Sequence, residues 1–188
     1  MLHFFQHHHF IPGPDLPTPM DHHCSIRVNT THIFVSGGLN GVDDLRTAYL
    51  LNWLTRKWTP LPDMTYPRYG HSCGFASDPD RIVAVGGVTG AASTMATSEI
   101  LDLATLEWTA GPGVPAKDYL TYSQSVPHLG SFLLVDGWGD EYNNDREYLE
   151  AIYEYNRPTD GWRRRQERPV KRRAEHIAFK VPDDVLNC

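Results

Sequence analysis

Histidines crowd the start of the chain: His3, His7, His8, His9, His22 and His23. Imidazole is a common metal ligand, and histidine-rich tracts bind transition metals. No cysteine or carboxylate stands among them at the spacing of a zinc site. Pro12, Gly13 and Pro14 interrupt the tract, so the plainer reading of residues 1–16 is a disordered His/Pro-rich tail. A second cluster is cationic: Arg163, Arg164, Arg165, Arg168, Lys171, Arg172 and Arg173. It could hold an anion or serve nuclear import, yet Glu167 and Pro169 break it as they would a solvated outer strand and its loop. A third cluster is anionic: Asp140, Glu141, Asn143, Asn144, Asp145 and Glu147. Carboxylates at this density suggest calcium or acid–base chemistry, but the spacing departs from an EF-hand loop. No nucleophile elbow, phosphate loop or dinucleotide fingerprint occurs. The expectation is a chain with no catalytic residue, no bound metal and no cofactor.

What must position such groups is a pattern written three times, about fifty residues apart. The copies begin Val35-Ser36-Gly37-Gly38, Val85-Gly86-Gly87 and Val135-Asp136-Gly137. They close Asn52-Trp53-Leu54-Thr55-Arg56-Lys57-Trp58, Asp102-Leu103-Ala104-Thr105-Leu106-Glu107-Trp108 and Asn156-Arg157-Pro158-Thr159-Asp160-Gly161-Trp162. Short β-branched and aromatic runs, Ile33 to Val35, Ile82 to Val85 and Phe132 to Val135, lead into the glycines and read as buried strands. A strand is expected before each run (from Cys24, His71 and Tyr122), one after it (from Ala48, Glu99 and Ala151), and a fourth holding the tryptophan. Glycine lets the chain leave a crowded strand with positive φ. Asn52, Asp102 and Asn156 can accept bonds from backbone two residues on and start a turn. The indoles supply broad apolar area for packing one small sheet on the next.

These residues resemble the kelch repeat, whose units are β-propeller blades. Leu61-Pro62-Asp63-Met64-Thr65-Tyr66-Pro67-Arg68-Tyr69-Gly70-His71-Ser72 is similar to that family's link from an outer strand to the next inner strand. The third unit departs: Asp136 replaces the first glycine, Tyr122 stands where His71 is expected to have its counterpart, and the segment from Trp138 to Glu150 is longer. The resemblance implies an all-β fold: a partial β-propeller of three four-stranded antiparallel kelch blades plus the first strand of a fourth. Blades are expected near 21–64, 68–115 and 119–170, with an extra strand at 174–180, making 17–180 the propeller segment and 181–188 a tail. Closed propellers take about four to eight blades, so a fragment, or an arc that other propeller segments complete, is expected, with unpaired edges at both ends.

The resemblance also implies a partner-binding face, formed by the loops after the glycine pair and the links. By position these give Asn40 and Asp43, Thr89 and Ser93, and Asp140 and Asn143. Arg68 and Arg173 match the arginine that contacts acidic partner peptides, with Tyr119 as the third unit's counterpart. The function so implied is non-catalytic protein–protein interaction, in a piece of a ubiquitin-ligase substrate adaptor. Two other readings are a copper-dependent oxidase-like propeller and an extracellular adhesion propeller.

The net charge of −6 argues against nucleic acid as partner. The charge is uneven: residues 1–156 hold 8 Lys/Arg against 18 Asp/Glu, and residues 157–188 hold 9 against 5. No run of apolar residues is long enough for a membrane helix, and the start lacks the basic flank and apolar core of a secretory signal. The 3 cysteines, with Cys24 and Cys73 at nearly equivalent repeat positions, read as small buried thiols in a reducing compartment, hence a cytoplasmic protein. Asn29-Thr30-Thr31 is a glycosylation sequon, which matters only in a secreted chain.

Overall fold

The computed structural model describes residues 3–6, 9–78, 80–90, 93–115, 120–135, 137 and 151–166. The expected strand at 174–180 and tail at 181–188 lie outside them. The chain opens with a hairpin of β1 (His3–Gln6) and β2 (His9–Pro12). The segment expected as a disordered tail therefore carries an antiparallel strand pair.

Three four-stranded antiparallel sheets follow. The first is β3 (Cys24–Arg27), β4 (His32–Ser36), β5 (Ala48–Asn52) and β6 (Lys57–Leu61). The second begins with β7 (Ser72–Ala76) and β8 (Arg81–Val85). A short ladder of β9 (Val88–Thr89) and β10 (Ser93–Thr94) occupies the loop before β11 (Ser98–Asp102) and β12 (Glu107–Gly111) complete it. The third is β13 (Gln124–His128), β14 (Ser131–Val135), β15 (Ile152–Asn156) and β16 (Gly161–Arg164), with a 3-10 turn at Arg157–Thr159. Each sheet is a meander in chain order, and β3, β7 and β13 are the matching edge strands.

The sheets stack face to face, which explains why the second strands are apolar without alternation. Ile82 and Leu101 turn to the first sheet and pack with Phe34, Cys24 and Trp108. Val83, Val85 and Ile100 turn to the third and pack with Phe132, Leu134 and Tyr155. Neighbouring residues on one strand thus fill two different cores, as the period of two requires. The tryptophans hold the same register: Trp58 faces Leu51, Trp108 faces Leu101 and Trp162 faces Tyr155.

The turns between third and fourth strands follow from single residues. Asn52 Oδ1 accepts from the backbone N–H of Leu54 at 3.1 Å and Thr55 at 3.0 Å. Asp102 Oδ1 accepts from Ala104 at 2.8 Å and Thr105 at 3.1 Å. Those two bonds hold the Asp102 carboxyl below its ordinary pKa, Thr105 contributing most. Asn156 caps nothing, because Pro158, two residues on, has no N–H to give; the turn becomes 3-10. Gly86 shows what the glycine pair is for. Its φ is +70°, and a methyl group there would overlap the Leu120 carbonyl of the link passing over it.

Cys24 and Cys73 are joined by a disulfide with Cα atoms 6.0 Å apart. This corrects the reading of both as free thiols, and register gives the reason. Cys24 pairs with Ser36, while the residue placed likewise on β7 is Ser72, which pairs with Val85. Cys73 is therefore one residue out of step with Cys24, which turns its side chain to the opposite face. Each cysteine faces the other's sheet, and the bond staples blade 1 to blade 2.

Candidate functional site

The links and the loops after the glycine pairs meet at one end of the stack, here the link end. Leu39 bridges to Asp21 and Val88 to Tyr69. Gly38 N–H donates to Arg68 O at 2.7 Å, and Gly87 N–H to Leu120 O at 2.8 Å. Around the inner mouth, Gly70 N–H donates to His22 O at 2.9 Å and Tyr122 N–H to Gly70 O at 2.7 Å. His22, Gly70 and Tyr122 all have positive φ; they are one repeat position. Ser123, not Tyr122, is then the counterpart of His23 and His71, and each of these lies against the second glycine of its own blade.

The first post-glycine loop presents Asn40 and Asp43, both exposed. Asn40 Oδ1 accepts from Val42 N–H at 2.9 Å and Asp43 N–H at 2.7 Å. Its carbonyl therefore shapes the loop, and Val42 at the tip is left 89% exposed. Thr89 is half-buried, and Ser93 pairs with it across the short ladder. Tyr66, on the link, is 54% exposed. Val42 and Tyr66 carry no repeat signature, so sequence reasoning passed over them. Tyr119, Asp140, Asn143 and Arg173 lie outside the described residues.

Arg68, expected on the partner-binding face, is turned inward. It is fully buried and its guanidinium donates to Glu99 Oε1 from Nε at 3.2 Å and Nη2 at 3.0 Å, to Gly86 O at 2.9 Å, and to Thr97 O and Oγ1 at 3.1 and 3.2 Å. Glu99, itself buried, also accepts from the backbone N–H of Thr65 at 2.6 Å and Tyr66 at 3.2 Å. The acid that the family arginine would find on a partner is here supplied by the chain's own β11. Burial pulls the Arg68 pKa down against the pull of Glu99. The pair clamps the link onto blade 2.

Residues 13–23 form a link of the same design. Pro14 precedes His23 as Pro62 precedes His71, and Asp15 and Asp63 follow alike. Thr18 Oγ1 meets Tyr49 OH at 3.1 Å, and Tyr49 stands on β5 where Glu99 stands on β11, opposite Val35 and Ala84 respectively. The strand β2 enters this link as β6 and β12 enter theirs.

Beneath the mouth, His71 is buried, with Nε2 3.0 Å from Ser36 Oγ. Its Nδ1 and that of His23 are buried without a hydrogen-bond partner. Burial, with help from Arg68 and His23, pushes the His71 pKa down to about 3, and burial also lowers His23. Both imidazoles are therefore neutral at pH 7. A cavity of about 130 Å³ adjoins them, lined also by His22, Gly70, Tyr122 and Gln124. Among the described residues no group of three or more His, Cys, Asp or Glu is placed to hold a metal ion.

The opposite, turn end holds a groove of about 800 Å³ lined in part by Val28, Asn29, Phe75, Pro127, Leu129 and Phe132. Here Arg81 reaches the Asp160 carboxylate at 2.6 Å and 2.7 Å, and Tyr155 OH donates to the same group at 2.8 Å. These contacts lock blade 2 to blade 3.

Stacked four-stranded meanders, edge strands inward and links crossing at one end, define a β-propeller segment. The solved structure of YjhT shares the fold, with a TM-score of 0.71 at 14% identity, over 86% of this chain and 56% of that one. The chain thus spans a little over half the length of that relative. Residues 22–65 match the kelch motif, and this match together with the shared fold supports a kelch-repeat β-propeller. No curated protein matches its sequence significantly. Among the described residues no helix is long and apolar enough to cross a membrane.

Proposed function

We propose that the chain is a non-catalytic protein–protein interaction module that offers its link end to a protein or peptide partner. The kelch propeller fold supports an interaction module in general. The observation that carries the particular reading is the contrast within the link end. Its framework is buried and tied down through Arg68 and Glu99, whereas Val42, Asp43 and Tyr66 project from it into solvent. Exposed side chains on a rigid frame bind without a large ordering cost.

Two forms of this module differ in environment. A piece of a ubiquitin-ligase substrate adaptor in the cytoplasm would keep Cys24 and Cys73 as thiols. An extracellular adhesion propeller would keep them joined, and the disulfide between β3 and β7 favours that form.

Photo-crosslinking tests the reading. A photoreactive residue at Val42 is expected to capture a specific partner, and one at Leu129, also widely exposed but at the turn end, is not. Affinity measured with the purified partner is expected to fall about tenfold in V42A/Y66A, as loss of a central apolar contact does. Capture from Leu129 alone, or unchanged affinity in the double variant, would reject the link end as the binding face.

A further inference from the structure

We infer that Asn29 is an N-glycosylation site and that this chain matures in an oxidising, glycosylating compartment. Two independent observations meet here. The first is the sequon Asn29-Thr30-Thr31 at the turn between β3 and β4, where Asn29 and Thr30 are both exposed. The second is the Cys24–Cys73 disulfide, whose Cys24 opens the strand β3 that leads into this turn, a bond that persists where thiols are not held reduced.

The turn leaves the right atom available. Asn29 Oδ1 accepts from Thr31 N–H at 2.8 Å and His32 N–H at 2.9 Å, and the Thr31 hydroxyl lies 3.1 Å away. Among the described residues no hydrogen bond uses Nδ2. That nitrogen is the one that reacts. It attacks C1 of an oligosaccharide carried on a lipid pyrophosphate; the N–C1 bond forms as the C1–O bond to phosphate breaks, the amide sheds one proton, and the lipid pyrophosphate departs. No oxidant or reductant enters. The folded chain has only to leave room for the product, and an exposed loop does so. The sugar would stand at the rim of the turn-end groove, at the opposite end from Val42 and Tyr66. Occupancy of Asn29 and binding at the link end can therefore fail separately.

The test is mass spectrometry of the protein isolated from its source, digested with trypsin without reduction. Residues 28–46 form one tryptic peptide, since Arg27 and Arg46 bound it. The expected result is a glycopeptide that N-glycosidase in heavy-oxygen water converts to a labelled aspartate, together with a peptide pair linked through Cys24 and Cys73. In the full chain directed into the secretory route of cultured eukaryotic cells by an added signal sequence, N29Q and T31V are expected to lose the whole glycan increment and T31S to retain it. Recovery of residues 28–46 wholly unmodified from the source protein would overturn the inference, as would Cys24 and Cys73 found as free thiols or a glycan increment that survives N29Q.

Discussion

The Trp108 indole N–H donates to the carbonyl of Pro62 at 2.8 Å, from the outer strand of blade 2 to the link that leaves blade 1. Trp162 repeats it on Pro112 at 3.0 Å. Blade stacking is thus fixed by a hydrogen bond as well as by apolar area, and the repeat carries both partners, the tryptophan and the proline after the preceding outer strand. The corresponding Trp58 N–H is buried without an acceptor.

That asymmetry sets a first prediction. Trp108→Phe and Trp162→Phe each leave a link carbonyl unpaired and are expected to cost about 1 kcal/mol more than Trp58→Phe. Urea unfolding of the three variants measures this. Equal losses at all three positions would show that the bonds to Pro62 and Pro112 contribute nothing.

Arg68→Met strands a buried Glu99 carboxylate and is expected to destabilise by about 3–5 kcal/mol, with the double variant Arg68→Met/Glu99→Leu recovering much of the loss. Denaturant midpoints of the single and double variants decide it. If Arg68→Met folds normally yet loses its partner, the arginine is a contact residue after all.

Acid should loosen the blade 1–blade 2 interface through His71. Its folded pKa, about 3, lies below that of the unfolded chain, about 6.5. The unfolded state therefore binds more protons between those values. Stability falls as pH drops from about 6.5 toward 3, by up to about 1.4 kcal/mol per pH unit. His71→Gln is expected to flatten that slope in thermal melts across the range. A slope unchanged in the variant would place the acid sensitivity elsewhere.

Reduction of the Cys24–Cys73 bond opens a loop whose ends are 49 residues apart. By loop entropy it should cost about 4 kcal/mol at most. Unfolding of the wild type with and without reductant, beside Cys24→Ser/Cys73→Ser, checks this; reductant should have no effect on the variant.

The blades were legible because the repeat spends conspicuous residues on backbone and packing. Gly86 with its positive φ, Asp102 in its turn and Trp108 in its core leave signatures at fixed spacing. The site was less legible because its meaning depends on what lies across a blade boundary. Arg68 reads as a partner-binding arginine until Glu99, thirty-one residues on, is seen beneath it. Cys24 and Cys73 read as equivalent until the strand register puts them one residue out of step. Val42 and Tyr66 left no signal, since exposure at a loop tip follows from the fold and not from residue type. The hairpin β1–β2 was hidden by its histidines, although Pro14-Asp15-Leu16 repeats the Pro62-Asp63-Met64 that opens a link.

Hydrogen–deuterium exchange of the full chain, free and saturated with its captured partner, tests the central claim most directly. New protection is predicted at residues 38–46, 63–70 and 88–90, the loops and links of one end, with no change at 29–31, 53–56, 103–106 and 129–130. Protection confined to the second set would contradict the account, because it would place the partner on the turn end.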